Sequence, residues 1–199
     1  MIVNLGVLIS GGGTNLQAII DACQSGILKD IAQIALVVSN KAEAFGLERA
    51  KKHGIPALWI NSKNFPDNQS FYKKVSSELK RHRVNIVCLA GYMRMVDPCL
   101  IKDFKKKVLN IHPALLPKFG GKGMYGHFVH EAVIKAGEPE SGATVHMVDE
   151  QYDHGPIVLQ YKVPVFPKDT ADVLAERVIE VEHRIYPEAI LKVITGGKQ

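Results

Sequence analysis

Asn110 and His112 stand two residues apart at the end of a short apolar run, Val108-Leu109-Asn110-Ile111-His112, which Pro113 stops. In a strand, residues i and i+2 point to one face. The amide and the imidazole would then project together from a strand's carboxyl end, where open α/β sheets bind their ligands. An amide that donates hydrogen bonds without titrating, beside an imidazole that titrates near neutrality, suits a reaction in which an oxyanion forms and a proton moves. A capped turn with a histidine satisfied by backbone would use the same residues, so the reading needs further groups. The acidic segment Asp149 to His154 offers one. A carboxylate beside His112 would raise its pKa toward or above neutrality, and an imidazolium can stabilise an oxyanion and pass a proton to a leaving nitrogen. No Ser or Cys sits in a nucleophile elbow. The close histidine spacings, His127/His130 and His146/His154, match no zinc signature. Direct attack, without a metal or a covalent intermediate, is the expectation.

A second feature is Ser10-Gly11-Gly12-Gly13-Thr14-Asn15, which follows the apolar run Val3 to Ile9 and precedes Leu16, Ile19, Ile20 and Cys23 at helical spacing. Glycines between a buried strand and a helix start let backbone N–H groups approach an anion. Thr14 with Gln17 fits a capping box. Leu16 occupies the last position of G-x-G-x-x-G, and no Gly-Lys-Ser/Thr follows. No acidic residue ends the second strand, Ile34 to Ser39, where a dinucleotide's ribose would need one. A single phosphate is expected.

The elements that must position these groups alternate along the chain. Short apolar runs at Ala57 to Ile60, Asn85 to Ala90, Val108 to His112, Ala143 to Val148 and Ile157 to Val163 read as strands. Helical patterns fall at Ala44 to His53, around Phe71, Val75 and Leu79, at His127 to Ala136, and at Thr170 to Ile194, the last interrupted near Pro187. That alternation predicts one α/β domain over residues 1–199, Rossmann-like, with a mostly parallel twisted sheet of about seven strands flanked by helices. Gly91 to Val96 leaves the end of one strand, and its methionines could wall a flat heterocycle. Lys118 to Gly126 holds four glycines without periodicity, which predicts a mobile surface loop and a candidate lid.

The chain has 199 residues, 46% of them hydrophobic, and a net charge of +5 from 25 basic and 20 acidic residues. Its basic clusters, Lys51-Lys52, Lys73-Lys74, Lys80 to Arg83 and 105–107, lack aromatic interleaving and read as solvated faces. Nucleic acid is not an expected partner, and no run approaches the roughly 20 apolar residues of a membrane span. Three cysteines without a CxxC pair predict a reduced, cytoplasmic protein.

Five segments together resemble the glycinamide ribonucleotide formyltransferase family: Leu8 to Gln17, Phe45-Gly46-Leu47-Glu48-Arg49-Ala50, Leu89 to Arg94, Asn110-Ile111-His112-Pro113 through Leu116-Pro117, and Asp153 with Gly155-Pro156. The resemblance runs in order from Leu8 to about Pro187. It implies the formyltransferase fold and transfer of a formyl group from 10-formyltetrahydrofolate, as co-substrate, to the amine of glycinamide ribonucleotide, with no metal, in de novo purine synthesis. It implies Asn110, His112 and Asp153 as the catalytic trio, with Asp153 keeping His112 positive. It implies Gly12, Gly13, Thr14, Asn15, Pro113 and Glu182 for the ribonucleotide, the first four at the phosphate and Glu182 at the ribose. For folate it implies Met93, Arg94, Met95, Val96, Asn110, Val148, Asp149, Tyr152 and Gln69.

Three departures stand out. Asn68 and Gln69 lie where some members carry an Arg for the folate's glutamate tail, and an amide cannot form an Arg–carboxylate fork. Ile179 replaces a polar ribose contact one turn before Glu182. The loop from Lys118 to Gly126 is longer and richer in glycine than in many members, with Lys118 and Lys122 placed for anions or for solvent. The main rival function is formyltetrahydrofolate deformylase, a hydrolase with an extra domain ahead of the catalytic one; the first strand here begins at residue 3. Methionyl-tRNA formyltransferase adds a C-terminal domain, and a non-catalytic nucleotide sensor would not need the trio. Small-molecule substrates and a monomer or homodimer are the expected partners and assembly.

Overall fold

Near-continuous apolar runs such as Val3–Ile9 are what strands buried on both faces of a parallel sheet require. Leu5, Val7, Leu8 and Ile9 are indeed wholly buried. The computed structural model describes residues 1–104 and 107–196, so part of the basic cluster at 105–107 lies outside the described residues. In chain order the elements are β1 (Val3–Ile9), α1 (Thr14–Gln24), β2 (Ala32–Ser39), α2 (Phe45–Lys52), β3 (Ala57–Trp59), a 3₁₀ turn (Ser62–Asn64), α3 (Asn68–Arg81), β4 (Ile86–Leu89), α4 (Pro98–Asp103), β5 (Val108–His112), α5 (His127–Lys135), β6 (Glu140–Met147), β7 (Ile157–Pro164) and α6 (Ala171–Ile194). The seven strands form one mostly parallel sheet in the order β3-β2-β1-β4-β5-β6-β7.

The chain divides into two compact units, Met1–Leu109 and Asn110–Gln199, with β5 straddling the division. In the first unit β1 pairs in parallel with β2, from Val3 against Ala32 to Ile9 against Ser39, and on its other side with β4, Leu5 against Ile86. Strand order therefore reverses at β1, and the carboxyl ends of β1 and β4 flank a topological switch point. Leu16, Ile19 and Ile20 of α1 and Phe71, Tyr72, Val75 and Leu79 of α3 supply the buried helix faces. In the second unit β6 and β7 are antiparallel, Glu140 opposite Pro164, and α6 packs on both. Its Leu174, Val178, Glu182, Ile185 with Tyr186, and Ala189 with Ile190 recur every three or four residues as the buried stripe.

Three details differ from the sequence reading. Helix α6 runs without a break through Pro187. Proline removes one backbone donor from the ladder, yet Pro187 is buried within the stripe that packs on the sheet, and that burial outweighs the missing bond. The short helix α4 follows Asp97, whose carboxylate accepts from the Cys99 N–H while Pro98 sits in the first turn. Six residues give too little periodicity to see. Finally, Thr14 does not cap α1. The residue before the helix is Gly13, in left-handed backbone at φ 70, so no side chain caps α1, and Gln17 turns instead to Asp21 and His53.

Candidate active site

Asn110 and His112 end β5 on one face, as their spacing demands, and in the second unit the β6–β7 loop brings Asp153 to both. Asp153 Oδ1 lies 3.4 Å from Asn110 Nδ2, and Oδ2 lies 3.6 Å from His112 Nδ1. His112 is only 3% exposed. Its Nε2 is 2.8 Å from the Phe119 carbonyl. A carbonyl only accepts, so Nε2 carries the hydrogen, and Nδ1 of the neutral ring turns a bare lone pair toward Asp153.

This overturns the expectation of a raised His112 pKa. Burial depresses it below the ordinary imidazole value, and Asp153, opposing burial from 3.6 Å, does not win. Asp153 itself stays ionised. Burial pushes its carboxyl up, but the hydrogen-bonding groups around it, the Gly121 N–H at 3.0 Å among them, hold it below the usual carboxylate range. Both brackets of the pair come from backbone that bends the wrong way for most residues. Phe119 and Asp153 have φ of 56° and 52°, a left-handed conformation that Asp tolerates and a bulky Phe adopts only under constraint.

His146 is the group the sequence reading passed over. It is buried on β6, its Nδ1 donates to the Met147 carbonyl at 2.8 Å, and its Nε2 sits 3.2 Å from Asn110 Nδ2 and 3.5 Å from Asp153 Oδ1. Its signal was a lone histidine inside the apolar run Ala143 to Met147. Asp149, by contrast, turns to His154 at 2.8 Å and to the Gln151 N–H. Val148 and Tyr152 border the same loop, Tyr152 exposed. Glu182 on α6 is buried at 8% exposure, unlike an ordinary carboxylate on a long helix. Among the described residues, no group of three or more His, Cys, Asp or Glu side chains is placed to hold a metal ion, and no helix is long and apolar enough to cross a membrane.

In the first unit, the glycine turn at the end of β1 and the segment after β4 meet at the switch point. Ser10 Oγ accepts from the Met93 N–H at 2.9 Å and donates to Asn40 Oδ1 at 2.7 Å. Gly12, Gly13, Thr14 and Asn15 carry the turn into α1. Met93 and Met95 are exposed at 57% and 42%, while Val96 is buried. The Arg94 guanidinium lies over the Phe71 ring, donates to Ser62 Oγ at 3.1 Å and Asn68 Oδ1 at 3.0 Å, and keeps a buried Nε with no hydrogen-bond partner. A guanidinium therefore stands beside Asn68 and the exposed Gln69 after all, reaching there from the β4 loop rather than from α3.

Residues 3–190 match the formyl transferase family. The chain belongs to that family. It is 46% identical over 194 residues to the phosphoribosylglycinamide formyltransferase of Haemophilus influenzae, covering 98% of this chain and 88% of that protein. It is 45% identical over 192 residues to the trifunctional purine biosynthetic protein adenosine-3 of Chironomus tentans, covering 96% of this chain but spanning only 14% of that protein's length. A solved structure, glycinamide ribonucleotide transformylase 1 from Symbiobacterium toebii, superposes with a TM-score of 0.92 at 42% identity, over 98% of this chain and 89% of that one.

Within this formyl transferase the loop expected to be a lid, Lys118 to Gly126, has a fixed part. Phe119 and Gly121 hold His112 and Asp153, and Lys118 pairs with Glu138 at 2.8 Å. The loop that carries Asp153 is closed at Gly155, where an added Cβ would overlap the Met147 carbonyl. Gly155→Ala is accordingly expected to destabilise the protein by about 3 kcal/mol, read as a lowered denaturant midpoint, with transfer activity falling further as Asp153 is displaced.

A buried histidine also contributes to the loss of stability in acid. His130 on α5 has no partner for Nδ1, and burial, aided by His127 and His112, lowers its pKa from 6.5 to about 4. The unfolded chain takes up that proton first, so the contribution of His130 is full above 6.5 and is lost as pH falls toward 4. His130→Leu is expected to flatten this limb of a Tm-against-pH curve while leaving Tm at neutral pH equal or higher.

Proposed function

We propose that this chain transfers the formyl group of 10-formyltetrahydrofolate to the amine of glycinamide ribonucleotide, and that residues 1–199 act as a single formyltransferase domain. The family match runs from residue 3 to 190, through both compact units. The observation that carries the chemistry is the Asp153 carboxylate 3.6 Å from Nδ1 of the buried His112 and 3.4 Å from the Asn110 amide. The folate supplies the electrophilic formyl carbon.

Asn110 Nδ2 has two hydrogens. One is anchored on His146; the other, weakly held 3.4 Å from Asp153, is the donor for the formyl oxygen as negative charge gathers there. As the amine nitrogen bonds to the formyl carbon, it loses a proton to the bare Nδ1 of His112. The resulting imidazolium is stabilised by the Asp153 carboxylate, adds positive charge beside the oxyanion, and returns the proton to the departing folate nitrogen. His112 thus gains its charge during the reaction rather than holding it beforehand.

For the substrates, Gly12, Gly13, Thr14 and Asn15 take the phosphate, Glu182 the ribose hydroxyls, and Pro113 borders the glycinamide. Met93, Met95 and Val96 of the first unit, and Val148, Asp149 and Tyr152 of the second, are the residues that the family likeness assigns to the pterin. The exposed thioethers and the orphaned Arg94 Nε fit a ligand that is apolar at one end and anionic at the other. Arg94 beside Gln69 then meets the tail carboxylates. Among the described residues no disulfide links Cys23, Cys88 or Cys99, in keeping with a cytoplasmic setting. The test is an assay of the purified chain with formyl-folate, with and without glycinamide ribonucleotide. Deformylated folate is expected only with the amine present. Formate release without it would make the chain a hydrolase and overturn the proposal.

A further inference from the structure

The segment Phe45-Gly46-Leu47-Glu48-Arg49-Ala50 has no role in the chemistry above, yet the start of α2 packs directly behind the glycine turn. The Gly46 N–H donates to the Gly11 carbonyl at 3.1 Å, and Arg49 Nε donates to the Gly12 carbonyl at 2.8 Å. In a planar trans peptide the C=O and the next N–H point in opposite directions. Tying down the Gly11 and Gly12 carbonyls therefore turns the Gly12 and Gly13 N–H groups away from α2.

The fit is close. A Cβ on Gly46 would overlap the Ile9 side chain, and one on Gly13 would come within 2.8 Å of Gly46 Cα. The guanidinium is itself held twice, over the Phe45 ring at 5.1 Å, one helical turn before it, and by Gln17 Oε1 at 3.3 Å from α1. Phe45 is exposed while Gly46 and Ala50 are buried, so the aromatic serves Arg49 rather than the core.

We propose that Arg49 is the positioning residue of the phosphate turn: from behind, it sets the direction of the Gly12 and Gly13 donors and adds a positive charge to an otherwise uncharged cradle. This rests on the reading that the turn takes the ribonucleotide's phosphate. A purely structural arginine would lower stability and affect both substrates alike. A positioning arginine acts on one substrate, through KM.

Arg49→Met is expected to raise KM for glycinamide ribonucleotide roughly tenfold or more, with kcat and KM for folate within about twofold. Inhibition by inorganic phosphate, competitive against the ribonucleotide, should weaken in parallel. Arg49→Lys should recover part of the loss, since an ammonium can reach the Gly12 carbonyl but cannot also bind Gln17 and stack on Phe45. Phe45→Ala, on an exposed side chain, should raise the same KM about two- to fivefold and nothing else. If phosphate fails to compete with the ribonucleotide in the unsubstituted protein, the reading of the turn falls. If phosphate competes there and equally well in Arg49→Met and Phe45→Ala, the turn stands and the proposal for Arg49 is wrong.

Discussion

Asp153→Asn is expected to lower kcat by about 10³-fold while KM for either substrate changes little. The replacement is nearly isosteric, and Asn tolerates the left-handed backbone that Asp153 adopts at φ 52, so the β6–β7 loop keeps its course. What changes is the chemistry on each side of the carboxylate. Oδ2 now accepts from the Gly121 N–H and faces His112 Nδ1. An amide must place either oxygen or nitrogen there. With nitrogen, it donates to Nδ1, occupies the base and orphans Gly121; with oxygen, its nitrogen confronts the Asn110 amide. In both cases the charge that stabilises a newly formed imidazolium is gone. Removing it also withdraws the main influence opposing burial at His112, so the imidazole becomes a still weaker base. The loss should appear as a lower kcat plateau at neutral pH, with the acid limb of the profile moved to lower pH.

Asn110→Ala is expected to cost roughly 10²–10³ in kcat, the usual cost of deleting one oxyanion donor, and His112→Ala a comparable factor, with folate binding retained in both. The Asn110 substitution also leaves His146 Nε2 without the donor 3.2 Å away. A second substitution, His146→Ala in the Asn110→Ala background, should therefore cost far less than His146→Ala alone, because a shared network is already broken. Near-normal turnover in Asn110→Ala would remove the amide from the mechanism.

The alternation of strands and helices and the shared face of Asn110 and His112 were legible from local patterns, whereas Asp153 was singled out only by the family resemblance. An Asn and a His two apart in an apolar run must share a face, and glycines after a buried strand must let backbone reach something. Other features depended on contacts distant in sequence. His112 could be judged charged from the nearby Asp153, but its charge is decided by burial, which no spacing reveals. The grip of Phe119 and Gly121 on the pair requires a left-handed Phe, which no propensity would suggest. Pro187 announced a break that the packing of α6 on the sheet overrode. Asn68 and Gln69 suggested a tail site without an arginine, whereas Arg94 arrives there across 26 residues of chain.

The most direct test is the protonation state of His112 in the protein without substrates, followed by ¹⁵N NMR of its ring across the neutral and mildly acidic range. The account predicts a neutral imidazole at neutral pH, with the hydrogen on Nε2 and a bare Nδ1, titrating only below the ordinary imidazole range. An imidazolium already formed at neutral pH would contradict it.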